Sequence, residues 1–198
     1  MPATAIFGLL GCGLACVAAA SVLLRLQAWP IRFRHAFVAL AALAVLVPIG
    51  DLPIAAYVRG VTGDLSVTTL FLAGGSCAAR LAGRTWIARR ELKTLCWLIA
   101  AAAVFLYPFA LGLSPFDPYA LGYGSIVFVS VLLAITLVAW RAGLYPVIFI
   151  VLAAALACLG GVYESRNLWD YLIDPLAAVY AVVRLSAWAL RRRAGEAA

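Results

Sequence analysis

The chain has 198 residues, of which 67% are hydrophobic and only 12% charged, with a mean hydropathy of +1.08 and a formal net charge of +7. A soluble domain carries roughly 45 to 50% apolar and about 25% charged residues, so the composition excludes an ordinary soluble fold. The positive charge does not point to a nucleic-acid partner either, because it is scattered as short basic connections such as ARRELK, residues 88 to 93, suited to anionic lipid head groups.

A helix needs about 20 apolar residues to cross a hydrocarbon core of about 30 Å, and its backbone polar groups must be satisfied within the segment. The pattern predicts an all-α fold, a polytopic transmembrane helix bundle of about seven spans that forms a single integral membrane domain over residues 1 to 198. Spans are expected at 3 to 25, 31 to 49, 65 to 82, 94 to 113, 121 to 140, 145 to 162 and 172 to 190. The first is read as a retained span, because MPATAIFG has no basic residue before the apolar run and Arg25 follows it.

An outside N-terminus places 13 of the 15 basic residues in cytoplasmic connections, leaving only Arg59 and Arg166 outside. That asymmetry satisfies the positive-inside rule and predicts a cytoplasmic C-terminus, with residues 191 to 198 as a short tail. The expected location is a bacterial inner membrane.

Within the first span, Gly8, Cys12, Cys16 and Ala20 form one ladder of small residues, and Gly11, Ala15 and Ala19 a second; such ladders let helices approach closely. The five cysteines, Cys12, Cys16, Cys77, Cys96 and Cys158, all fall in expected spans and are read as small packing residues. Between the second and third spans, PIGDLPIAAYVRGVTGDL is broken by Pro48, Gly50 and Pro53. Its seven-residue apolar stretch is too short to span, so residues 50 to 63 are expected as a re-entrant or interfacial segment at the outer face.

Six of the eight acids, Asp51, Asp64, Asp117, Glu164, Asp170 and Asp174, fall on the same outer face as the two lone arginines. The candidate binding residues are therefore Asp51, Tyr57, Arg59, Asp64, Glu164, Arg166, Asn167, Asp170 and Asp174, with Arg59 and Arg166 expected to pair with acids or to hold an anionic group together. Each acid also has a local explanation. Asp64 precedes LSVTTLFLAG and is expected to cap the third span, Asp51 a short helix near Pro53, Asn167 the turn that contains Asp170, and Asp174 the helix opened by Pro175. Along the last span Asn167, Asp170, Asp174, Ala177, Ala181 and Arg184 recur at three or four residues, a polar and small stripe expected to face the bundle interior.

His35, the only histidine, is read as an interfacial side chain, since a pairing with Cys77 would lack an orienting third group. No metal-ligand spacing, phosphate loop or dinucleotide fingerprint is present, and no metal or cofactor is expected.

Three functional classes fit these residues. The preferred one is a non-enzymatic component of an envelope-lipid or surface-polysaccharide system, binding a membrane lipid, a membrane-protein partner or a second copy of itself through the outer cluster. The second is an enzyme acting on a lipid-linked or phosphorylated substrate at the outer leaflet, with the acids as general acid, base or metal ligands. The third, a small transporter, is poorly served, because a proton path through the core needs a chain of ionisable groups.

Overall fold

A computed structural model describes residues 3–113 and 115–196, and in it each of the seven expected segments contains a helix. These are α1 (Ala3–Leu23), α2 (Ile31–Ala44), α4 (Val67–Ala82), α5 (Arg89–Ala110), α6 (Ile126–Arg141), α7 (Tyr145–Leu159) and α9 (Pro175–Glu196). Two shorter helices complete the set among the described residues, α3 (Ile54–Thr62) and α8 (Leu168–Leu172). The fold is all-α apart from a two-residue ladder between β1 (Pro48–Ile49) and β2 (Leu52–Pro53), paired antiparallel.

By length and composition two helices, α1 and α5, are sufficient to cross a membrane, while α4, α6 and α7 are apolar but shorter. The breaks in the expected runs have local causes. Gly50 turns the β1–β2 hairpin at φ 72°, and Gly63 and Gly83 follow α3 and α4 at φ 71° and 64°, backbone states that side chains with a Cβ resist.

The small-residue face of α1 lies on α4. A Cβ on Gly11 would stand 3.2 Å from the Leu70 side chain, and one on Gly74 would stand 3.8 Å from Leu14. Rising numbers on one helix meet rising numbers on the other, so α1 and α4 run parallel, with α2 returning between them. Cys12 is fully buried in this seam, and its thiol is directed at the Gly63 carbonyl, in line with a packing role. The larger core lies between α5, α6, α7 and α9, built from Cys96, Ile99, Leu106, Val147, Ile150 and Ala181 among others. The stripe expected along one last helix is split: Asn167 and Asp170 belong to α8, extended Ile173 interrupts the helix, and on α9 Ala177 and Ala181 are buried.

Residues 50 to 63 form the hairpin and then α3, an amphipathic helix that buries Ala55 against α1 and leaves Val61 88% exposed. At the C-terminal end α9 continues as helix through residues 191 to 196 of the expected tail, and residues 197 and 198 lie outside the described residues.

Candidate functional site

The ends of α3, α5, α8 and α9, with the connections before α4, α6 and α8, line a polar pocket of 340 Å³. It is lined by Asp64, Asp170 and Asp174, by the tyrosines Tyr107, Tyr119 and Tyr163, and by Thr62 and Ser165.

Asp174, only 6% exposed, is the most heavily engaged of the acids. Its Oδ1 accepts from the Ala177 amide and from the Thr69 hydroxyl, each at 2.7 Å, and its Oδ2 accepts from the Ser66 amide, also at 2.7 Å. One carboxylate thus caps α9 and ties it to the first turn of α4, whose amides have no intrahelical acceptor. The helix dipoles favour its charge at both places. The Thr68 hydroxyl reinforces the joint by donating to the Leu172 carbonyl.

Asp64 does not cap α4 as expected. Ser66 takes that role, its Oγ accepting from the Thr69 amide at 3.2 Å. Asp64 instead binds Arg59 through a fork, Nε to Oδ1 at 2.6 Å and Nη2 to Oδ2 at 3.2 Å. The hydrogen bond from Arg59 to Asp64 holds the guanidinium pKa above its usual value, with the Glu164 charge adding to it. This pair lies over Gly8 of α1, where a Cβ would overlap both side chains.

Asp170 accepts from the Tyr119 hydroxyl at 2.8 Å and the Ser165 hydroxyl at 2.5 Å. Burial, then the bond to Asp170, pushes the Tyr119 pKa well up, and burial pushes Tyr163 up to about 12. Both hydroxyls therefore stay protonated across the physiological range. Tyr163 donates to the Leu65 carbonyl at 2.7 Å. The Tyr107 hydroxyl is buried and finds no hydrogen-bond partner among the described residues.

Asn167 is fully buried and architectural. It caps α8 by accepting from the Trp169 amide at 3.0 Å, and its amide nitrogen donates to the Tyr119 carbonyl at 2.9 Å. The α5–α6 connection is drawn in by a second bond, from the Trp169 indole to the Pro118 carbonyl at 3.0 Å. Gly122 is required beneath Asn167, because a Cβ there would collide with the amide.

The other expected residues are not gathered into the pocket. Asp51 is exposed and does not cap α3, whose first turn follows Pro53. Tyr57 is half exposed and donates to the Ile49 carbonyl at 3.2 Å, closing the hairpin. Glu164 and Arg166 are exposed, and neither arginine lines the pocket. A joint anion grip by Arg59 and Arg166 is thus not formed, because Asp64 occupies Arg59. What residue-by-residue reading missed is the contribution of hydroxyls. Tyr107, Tyr119 and Tyr163 fit an interfacial aromatic belt when read singly, and only their convergence makes them a lining.

His35 is exposed, with Nδ1 3.0 Å from the Ile31 carbonyl, whereas Cys77 is buried on α4. Among the described residues no group of three His, Cys, Asp or Glu side chains is placed to hold a metal ion. Comparison with protein-family models, curated proteins and solved structures found no match.

Proposed function

We propose that the protein is a seven-span membrane component of the bacterial inner membrane, N-terminus outside, which binds lipid or a membrane partner at its outer face in an envelope-lipid or surface-polysaccharide system. The observation that carries the non-enzymatic reading is the engagement of the acids. Asp174 serves three donors, Asp170 two hydroxyls and Asp64 one guanidinium. Carboxylates committed to helix ends and loops are suited to shaping a contact surface, whereas a general acid or base must be free to exchange its proton with substrate.

Two further features support the membrane reading. On α6, Ile126, Val127, Leu133, Val138 and Trp140 are each at least 59% exposed, an apolar face far too continuous for water. Apart from Arg59 and Arg166, the basic residues fall toward the helix ends away from the pocket, the side that cytoplasmic retention would require. Helices of 14 to 16 residues such as α2, α4 and α6 cover about 21 to 24 Å at about 1.5 Å per residue. Flanking apolar residues and local thinning of the bilayer make up the difference.

Topology is tested with single cysteines in a cysteine-free background, using a membrane-impermeant thiol reagent on intact spheroplasts. Asp117→Cys and Glu164→Cys are expected to label and Arg84→Cys to be protected; labelling of Arg84→Cys alone would invert the orientation. The non-enzymatic reading is tested by complementing a deletion strain and comparing its envelope lipids and polysaccharides with wild type. Asp170→Asn and Asp64→Asn are expected to restore the profile at least partly, whereas normal abundance with complete failure by either would favour the enzyme.

A further inference from the structure

A second recess adjoins the polar pocket, the two meeting at Ile173. An apolar groove of 470 Å³ lies between α5, α6 and α7, walled by Leu95, Ala102 and Phe105, by Val131 and Ile135, and by Ile150. Helices α5 and α6 barely touch, so the groove is a lateral gap in the bundle. Its upper wall is α8 and the two residues after it: Trp169 and Leu172 line the groove, while Asp170 and Asp174 line the polar pocket. Ile173, extended at φ −145°, borders both. Along α5 the same boundary falls within one turn, between Phe105 in the groove and Leu106 and Tyr107 in the pocket.

We propose that the two recesses form one amphiphile site, in which an acyl chain of an outer-leaflet lipid lies between α5, α6 and α7 and a neutral, hydroxyl-bearing head group occupies the polar pocket. This inference rests on the membrane orientation proposed above.

Several features select this occupant. Along α5 the groove runs from Leu95 to Phe105, about 15 Å at about 1.5 Å per residue, half the thickness of a core of about 30 Å and room for one acyl chain descending from the polar pocket. The one hydroxyl in its lining, that of Thr68, is already used by the Leu172 carbonyl, so the wall offers only apolar contact. The head-group end has three carboxylates and no lysine or arginine in its lining, which disfavours a phosphate or carboxylate by charge. Tyr107 supplies a buried hydroxyl without a partner among the described residues, and a buried hydrogen bond is expensive to leave unmade. A sugar or glycerol hydroxyl can accept from Tyr107 while donating to an unfilled carboxylate lone pair. An ammonium can only donate and would leave the Tyr107 hydrogen unmatched.

The test is native mass spectrometry of the full chain, released from nanodiscs containing equal amounts of a monoglucosyl diacylglycerol and phosphatidylglycerol. Wild type is expected to retain one glucolipid, preferred over phosphatidylglycerol. Ala102→Trp, which fills the groove, should lose the adduct, whereas Leu137→Trp on the exposed face of α6 should keep it. Tyr107→Phe removes only an oxygen. It should keep a lipid adduct while its preference drops about fivefold, the effect of one hydrogen bond of about 1 kcal/mol. Equal retention of both lipids by wild type, preference for phosphatidylglycerol, an adduct unaffected by Ala102→Trp, or an unchanged preference in Tyr107→Phe would each overturn the proposal. So would a protein partner whose binding Ala102→Trp blocks, since a partner's helix would then fill the groove. If these results fail while the cysteine labelling holds, the lipid site alone is refuted; if the labelling is inverted, the membrane orientation falls with it.

Discussion

At one end of the bundle the buried carboxylate of Asp174 holds two helix beginnings together, and at the other Arg34 and Arg80 tie the end of α4 to the connection between α1 and α2. Asp174 is buried and reaches donors more than a hundred residues away in sequence, the Ser66 amide and the Thr69 hydroxyl. At the opposite end Arg34 donates to the Trp29 carbonyl at 2.8 Å, the Gln27 carbonyl at 2.7 Å and the Arg80 carbonyl at 3.2 Å, while Arg80 donates to the Gln27 side chain at 2.9 Å. Both arrangements satisfy groups that a helix leaves without partners at its ends. They differ in burial, since most of the Arg34 bonds are open to solvent. Water can replace exposed donors but not buried acceptors, so the acidic end should govern stability and the basic end mainly orientation.

Removing the Asp174 carboxylate is the most direct way to break that contrast. Asp174→Ala should destabilise the protein by about 3 kcal/mol or more, because it strands two buried amides and a hydroxyl at once; thermal unfolding in detergent would show it, and loss of less than about 1 kcal/mol would mean that water fills the gap. Next in size is Gly8→Ala, expected to cost about 1 to 3 kcal/mol through overlap with the Arg59–Asp64 pair. Its penalty should shrink in an Asp64→Ala, Arg59→Ala background, since the clash partners are gone. At the basic end Arg34→Ala should lower stability by only about 1 kcal/mol, and in the proposed orientation its clearer signature should be weaker protection of Arg84→Cys from external reagent.

The smallest effect at neutral pH comes from the tyrosines. Tyr163 titrates at about 12 in the folded chain and at about 10 when unfolded. Between those values the unfolded chain has released a proton that the folded chain keeps, so stability should fall as pH rises through that window and be insensitive to this group below it. Following unfolding against pH for wild type and Tyr163→Phe would show whether the slope belongs to this hydroxyl.

Much of the acidic end was legible because caps are local. Asn167 and Asp174 stand immediately before the turns they cap, and spacing alone announces that role. Asp64 and Asp51 show where local reading misleads. Ser66 lies closer to the first turn of α4 and takes the cap, which leaves Asp64 to the guanidinium of Arg59, brought near by α3. Asp51 stays in the hairpin rather than at a helix start.

The sequence by itself determined the helical class, the small-residue face of α1 and the inward Ala177 and Ala181 of α9, because helical periodicity and side-chain size act within a few residues. Tertiary structure alone decided that Tyr107, Tyr119 and Tyr163 share a pocket, that Arg166 stays outside it, and that α5 and α6 part to leave a groove. Those relations join residues from separate helices and loops, and their positions depend on how whole helices pack, which no local pattern encodes.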